Sequence, residues 1–309
     1  MKANIVIFGK NSIIAQNFIK DNYFKKNNII GISRNNESED EIYCDTGKPL
    51  LSEEIEKIIN KIKKKLIYDE TIFILFSWCG RPRIIENKDD VWSTNMNIIQ
   101  NFIAISEIIS PSRIIFLSSA GSLYPDNIKS FNFPETFIPI PTNSYGRQKL
   151  ISEKLLTYFA KTRKQKLTIL RIASAYGFDR RFSDQGVINK WLYSAINGKK
   201  IQLYNSKESQ INFISFKNIS RSIIISLEND LNGIYNIGSH KSVSLEEVIE
   251  EIKNIVNKKI EIEELNNSDR FFNIDTLKFN SETGEIFKLN LRENIKLIYE
   301  SIIRHSSQK

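Results

Sequence analysis

Cysteine and histidine are scarce in this chain. Two cysteines, Cys44 and Cys79, in 309 residues make no disulfide framework, which points to a reducing, cytoplasmic setting. Cys79 follows an apolar run with no histidine near it in sequence, so it reads as an inert, buried thiol rather than a nucleophile. His240 and His305 are too few and too isolated for a metal site, and no metal is expected. No apolar run approaches the roughly eighteen residues that cross a bilayer, so no membrane span is expected. The N-terminal MKANIVIFGK lacks the cleavage region of a signal peptide and reads as a first strand. Internal repeats and low-complexity linkers are also missing.

What is present is ordinary in bulk: 41% hydrophobic and 26% charged residues, as in globular proteins. The length fits one large α/β unit or two unequal domains. A net charge of +8 raises the question of nucleic acid. The lysines are scattered, however, and the densest run, KIKKKL at Lys61 to Leu66, continues the amphipathic SEEIEKIIN. That is a solvated helix face. No nucleic-acid partner is expected, and a mildly basic surface suits an anionic small substrate.

The first half alternates apolar runs with helical patterns. Strands are expected at Asn4–Gly9, Asn28–Ser33, Thr71–Trp78 and Arg113–Ser119, with LTILRIASAYG as a further one. Helices are expected through IIAQNFIKDNY, LSEEIEKIINKIKKK with Ser52 as N-cap, VWSTNMNIIQNFIAISEII, and the segment around Tyr145. Continuous β-branched strands separated by helices predict an α/β fold, a doubly wound parallel sheet covered on both faces. After Gly177 the elements shorten, with a helix capped by Ser244 near the end. The expected division is a dinucleotide-binding domain over residues 1–172, with a contribution returning from about 211–237, and a smaller α/β substrate domain over 173–309.

Such a sheet binds a dinucleotide at the carboxyl ends of its strands. Here the first turn is GKNSIIA: Gly9 opens it, but Ser12 and Ala15 stand where further glycines would be. The second strand ends GISRNN, so Ser33 holds the position of the acid that grips the ribose, and Arg34 follows. A guanidinium suits a 2′-phosphate and a carboxylate repels it, which favours NADP over NAD. The other reading is that Arg34 is solvated and the acidic NNESEDE after it does the gripping.

In NSYGRQKL, Tyr145 and Lys149 share a helix face. Chance supplies roughly one or two Tyr-x-x-x-basic pairs in a chain this rich in lysine, so the pair alone proves nothing. A phenol near pKa ~10 is a poor acid–base, but a neighbouring ammonium and an oxidised nicotinamide favour the phenolate. A third hydroxyl is needed to hold the substrate oxygen, and RIIFLSSAGSLY offers Ser118, Ser119 and Ser122.

The ordered set of the first turn, FLSSAGSLYPD, PTNSYGRQKL, LRIASAYG, QINFISFKNIS and GIYNIGS resembles the extended short-chain dehydrogenase/reductase family, in its nucleotide-sugar epimerase/dehydratase branch. The resemblance covers nearly the whole chain and implies a Rossmann-type sheet. It implies Tyr145 and Lys149 as the catalytic pair, with Lys149 also on the nicotinamide ribose. It further implies cofactor contacts from Gly9, Ser12, Ile13, Ile14, Ser33, Arg34, Asp45, Phe76, Ser77 and Ala173. Ser119, Ser122 and Ser174 would face the substrate, and Asn95 resembles an asparagine common in the family. A homodimer through the helices around Asn95–Ile109 and Tyr145–Arg163 is also implied.

Three departures stand out. The family's catalytic Ser/Thr position falls on Ala120, which leaves Ser119 or Ser122, with Ser119 favoured. The Arg-Asp of its Arg-Asp-Phe segment is replaced by Ile211-Asn212. The acid pair of its dehydratases is replaced by Gly121-Ser122, which disfavours dehydration. The expected reaction is reduction of a keto sugar nucleotide with NADP or NAD, with NAD-dependent 4-epimerisation as the alternative. A non-catalytic NADP-binding scaffold or sensor is a third reading.

Overall fold

The computed structural model describes residues 2–20, 26–34, 41–80, 89–178, 186–266 and 268–306, without the side chains of 89, 90, 305 and 306. Most of the acidic NNESEDE segment and the side chain of His305 therefore lie outside the described residues.

In chain order the first elements are β1 (Asn4–Phe8), α1 (Ile13–Ile19), β2 (Asn28–Ser33), β3 (Ile42–Tyr43), α2 (Ser52–Lys65), β4 (Thr71–Leu75), α3 (Asp89–Ile109) and β5 (Arg113–Ser119). Then follow α4 (Ala120–Leu123), β6 (Asn127–Phe133), α5 (Ser144–Thr162), β7 (Lys166–Ile172), β8 (Ser174–Tyr176), α6 (Val187–Ile196), β9 (Ile201–Leu203) and β10 (Gln210–Ser215). The chain closes with α7 (Phe216–Glu228), β11 (Gly233–Ile237), β12 (Ser242–Ser244), α8 (Leu245–Val256), β13 (Ile262–Glu264), β14 (Phe271–Ile274), α9 (Leu277–Thr283) and α10 (Leu291–Ser306).

The chain forms two compact units. One holds residues 1–123, 139–171 and 220–235, the other 124–138, 172–219 and 236–309. A seven-stranded sheet runs β11-β7-β5-β4-β1-β2-β3. β1 pairs in parallel with both β2 and β4, and β4 with β5. β1 and β4 are buried at every position, because helices cover both faces and each side chain needs an apolar neighbour. Phe8, Phe73 and Phe102 meet at ring-centroid distances of 4.8–5.9 Å and knit β1, β4 and α3 together. Strand order reverses between β1 and β4, which opens a crevice at their carboxyl ends.

The second unit carries a sheet in the order β12-β10-β14-β6, with β8 beside β10. Asn236 is its polar hub. Its Nδ2 donates to the carbonyls of Phe133 and Asp275, and its Oδ1 accepts from the Tyr124 hydroxyl at 3.0 Å. Asn212 closes on the backbone of Ser239 with bonds of 2.9 and 3.0 Å, which occupies the residue standing at the family's aspartate.

Two local expectations need correction. LTILRIASAYG is not one strand: it breaks at Ala173, whose N–H donates to the Ile237 carbonyl, and β8 then pairs with β10 in the other sheet. Ser52 is not the cap of α2. Leu51 is, and the Glu54 carboxylate accepts the Leu51 N–H at 2.8 Å, so no hydroxyl is needed. Ser244 does cap α8, accepting from the Glu247 N–H.

Candidate active site

The crevice is built from the first turn outward. Gly9 has φ +83°, and a Cβ there would lie 2.6 Å from the Ser77 nitrogen, so only glycine lets the two strand ends meet. The Phe8 carbonyl accepts from both the Phe76 and Ser77 N–H groups at 2.9 Å. The structure thus brings Gly9, Phe76 and Ser77 together. Ser12 caps α1, its Oγ accepting from the Ala15 N–H. Ala15 is wholly buried and Ile13 nearly so, which leaves backbone atoms as the part of Ile13 open to a ligand, while Ile14 is half-buried.

Asp45 lies beyond the end of β3 and borders a cavity of about 380 Å³ with Tyr43, Lys48, Leu50, Glu54 and Lys57. Its loop is clamped by α3: Asn97 donates to the Gly47 carbonyl at 3.1 Å, and Asn101 to those of Thr46 and Lys48 at 2.9 and 2.7 Å. Sequence reasoning passed over these two asparagines. The signal was there, since polar side chains of weak helix propensity recur on one face of a helix. Asn95, on another face of α3, holds the backbone of Cys79.

Tyr145 enters in the first turn of α5, which Asn143 caps by accepting the Gly146 N–H at 2.8 Å. Gly146 is as telling as the tyrosine. A Cβ there would come within 2.0 Å of the Ser122 carbonyl oxygen, so the helix start lies directly on the α4 backbone. The two candidate serines are neighbours, Ser119 Oγ donating to Ser122 Oγ at 3.4 Å. Ser119 is half-buried at the end of β5, whereas Ser122 is 3% exposed. Ala120 is sealed in the interior, and the buried Ser118 hydroxyl has no hydrogen-bond partner among the described residues.

Lys149 is buried one turn beyond Tyr145. Its Nζ donates to the Leu117 carbonyl at 2.8 Å and lies 3.7 Å from the Trp78 ring centroid and 4.8 Å from that of Phe116. Trp78 also meets Tyr145 edge-on at 6.2 Å. Burial lowers the Lys149 ammonium, only partly offset by Glu153 one turn further on, to about 7. Burial also raises the Tyr145 phenol, with no other cause acting on it. Its hydroxyl has no hydrogen-bond partner among the described residues.

Ser33 and Arg34 close β2, with Ser33 buried and Arg34 exposed. Ala173 and Ser174 belong to the second unit. The Ala173 N–H is already taken by Ile237, and Ser174 opens β8. Among the described residues no group of His, Cys, Asp and Glu could hold a metal, and His240 Nδ1 accepts the Leu289 N–H. The donor set fits a nicotinamide dinucleotide: an ammonium with two unused protons, an unpartnered phenol, and a glycine turn at a strand-order reversal.

Comparisons with known proteins agree. The family model described as "NAD dependent epimerase/dehydratase family" matches residues 5–238. A dTDP-4-dehydro-6-deoxyglucose reductase of Escherichia coli is 34% identical over 149 residues, 48% of this chain and 46% of that protein. UDP-glucuronic acid decarboxylase 5 of Arabidopsis thaliana is 25% identical over 60% of this chain and 57% of its own length. The chain thus spans about half the length of the curated relatives it matches. The solved UDP-glucose 4-epimerase of Thermotoga maritima superposes with a TM-score of 0.82 at 20% identity, over 97% of this chain and 99% of its own.

Proposed function

The chain belongs to the NAD dependent epimerase/dehydratase family, and on that premise we propose that it reduces the keto group of a nucleotide-activated sugar, with Tyr145 as the proton donor. The observation that carries this reading is geometric: the Tyr145 hydroxyl, without a hydrogen-bond partner among the described residues, stands in the first turn of α5, one turn before the buried Lys149. A neutral phenol donates to a ketone oxygen, whereas oxidation of an alcohol needs a phenolate first. The partial likeness to a reductase at 34% identity supports the same direction.

A bound reduced dinucleotide would supply the hydride to the carbonyl carbon. Tyr145 passes its proton to the carbonyl oxygen, and Ser119 holds that oxygen by a hydrogen bond. Lys149 binds ribose hydroxyls with the two protons that Leu117 leaves unused. Ser122, buried behind Ser119, accepts its hydroxyl proton and fixes its rotamer.

A homodimer is part of this reading. The helices α3 and α5 lie side by side and leave Ile108, Ile151, Leu155 and Tyr158 exposed, Tyr158 at 73%. Two unpaired cysteines, one of them buried, support a reducing cytoplasmic setting.

The test is absorbance at the reduced nicotinamide band with a panel of keto and hydroxy nucleotide sugars. Oxidation of one dinucleotide per keto sugar supports the reading. Interconversion of hydroxy epimers without net oxidation replaces it with 4-epimerisation. Dinucleotide binding with no turnover of either class replaces it with a non-catalytic role. Changing Tyr145 to Phe should lower turnover by roughly 10²–10⁴-fold while leaving dinucleotide binding nearly intact.

A further inference from the structure

The Lys149 ammonium is enclosed by rings, all within the first compact unit. Its Nζ lies 3.7 Å from the Trp78 ring centroid, 4.8 Å from that of Phe116 and 5.8 Å from that of Tyr145. A cation that close to a centroid sits on the indole face, the strongest of the aromatic platforms. Apart from its bond to the Leu117 carbonyl, the ammonium therefore faces aromatic carbon. A ribose hydroxyl must come within about 3 Å of Nζ to bond it, so one ring has to leave first. Phe116 is wholly buried in β5, and Tyr145 is fixed in the capped first turn of α5. Trp78 lies outside helix and strand and is only half-buried. Its backbone is pinned on both sides. The Ser77 N–H donates to the Phe8 carbonyl, and Asn95 holds the Cys79 N–H and C=O. Rotation of the side chain is the motion left to it. The indole also keeps its Nε1–H buried with no hydrogen-bond partner among the described residues, a cost that rotation toward water or a polar ligand removes.

We propose that the Trp78 indole is an internal plug: it covers the Lys149 ammonium in the free protein and rotates off when a dinucleotide ribose takes that ammonium. The inference rests on the dinucleotide-dependent reading above. Ring and ribose compete for one cation, so the plug lowers the apparent affinity by the fraction of molecules already open. Rotation exchanges the indole face for hydroxyl oxygens on the cation and frees the stranded Nε1–H. Until a dinucleotide arrives, the indole stabilises a buried charge that would otherwise lack a partner on that side.

The test is calorimetric titration of the full chain with NADH and with NADPH, for the wild type, Trp78→Ala and Trp78→Phe. Trp78→Ala should bind the better-bound dinucleotide about tenfold or more tightly than the wild type, because no ring has to leave. Trp78→Phe fills much of the same space but holds a cation less strongly, so its affinity should lie between the two. It carries the test if Trp78→Ala does not fold. A crystal structure of the wild-type dinucleotide complex should show the indole centroid more than about 6 Å from Lys149 Nζ. Equal or weaker binding by the folded variants overturns the proposal, and so does an indole still seated on the ammonium in the complex. Binding by Trp78→Ala where the wild type binds neither dinucleotide supports it. If the wild type and both variants, folded by their melting curves, bind neither dinucleotide, the functional reading falls together with the proposal. If all three bind alike, only the proposal falls.

Discussion

The side-chain amide of Asn95 closes on the backbone of Cys79 from both sides, its Oδ1 accepting the N–H at 2.8 Å and its Nδ2 donating to the C=O at 3.0 Å. The same Nδ2 reaches Gln148 Oε1 at 2.7 Å, and Gln148 Nε2 donates to Ser144 Oγ at 3.0 Å. Asn95 and Gln148 are fully buried. This relay ties the chain just after β4 to the first turn of α5, and hence Trp78 to Tyr145 and Lys149. Asn95→Ala strands the part-buried N–H and C=O of Cys79 and the buried amide oxygen of Gln148, where a fully buried group costs about 1–3 kcal/mol. Urea unfolding should show a loss of about 2–4 kcal/mol. A loss under ~0.5 kcal/mol would mean that water replaces the amide without penalty.

Gly146 makes a second prediction. Its α-helical backbone suits alanine, and in an exposed helix the change would stabilise by up to ~1 kcal/mol. Here the added methyl meets the Ser122 carbonyl at 2.0 Å and Pro141 Cβ at 2.9 Å. Relief requires the start of α5 to move away from α4, carrying Tyr145 from the serines. Gly146→Ala should cost about 1–3 kcal/mol of stability and about 10²-fold in turnover, the scale of a 1 Å misplacement. Thermal melting and steady-state rates check the two parts, and an alanine variant with full activity would show that Tyr145 does not depend on this contact.

Much of the fold is legible because the strands of the first sheet are continuous apolar runs, and such runs need both faces covered wherever they fall. NIVIF and TIFIL could be little else. What escaped detection depends on partners distant in sequence. Asn127–Phe133 is mostly exposed and has no apolar alternation; it is a strand because β14, more than a hundred residues later, lies beside it. The break at Ala173 has the same origin, since nothing in LRIASAY announces that the Ile237 carbonyl will take its N–H. In the candidate site, the spacing of Tyr145 and Lys149 announces only that they share a helix face. Trp78 was not assigned to the site, because its significance is contact with an ammonium, and contact is set by strand order rather than by spacing.

Glu153 and Arg171 form a buried ion pair beside the lysine. Arg171 Nε and the Nη2 nitrogen meet the two carboxylate oxygens at 3.1 and 2.7 Å, and both side chains are 3% exposed. Replacing Arg171 with Met leaves the Glu153 carboxylate buried without its partner, a loss of about 3–5 kcal/mol. Replacing both, Arg171→Met with Glu153→Leu, removes the charge along with its partner and should recover much of that loss. Chemical denaturation of the two single variants and the double variant measures the coupling. Additive single effects would mean that the pair is solvated in solution.

Lys149 links this region to pH. Its buried ammonium lies at about 7 in the folded protein, against about 10.4 in an unfolded chain. Between those values the unfolded chain holds a proton that the folded protein lacks, so the lysine's contribution to stability rises with pH across the window. It is complete above about 10.4, declines steadily as pH falls from there, and is gone below about 7, where folding must bury the charge. Lys149→Met removes the proton difference and keeps a stem of similar length. The variant should therefore gain on the wild type at pH 6 by at least about 1 kcal/mol more than at pH 9. Subtracting wild type from variant cancels the titration of every group they share, including the buried Cys44 thiol at about 12. Urea midpoints at the two pH values supply the difference. A gain that is the same at both would mean that the ammonium keeps its ordinary proton affinity against Trp78, and that the indole and the Leu117 carbonyl replace the water it has lost.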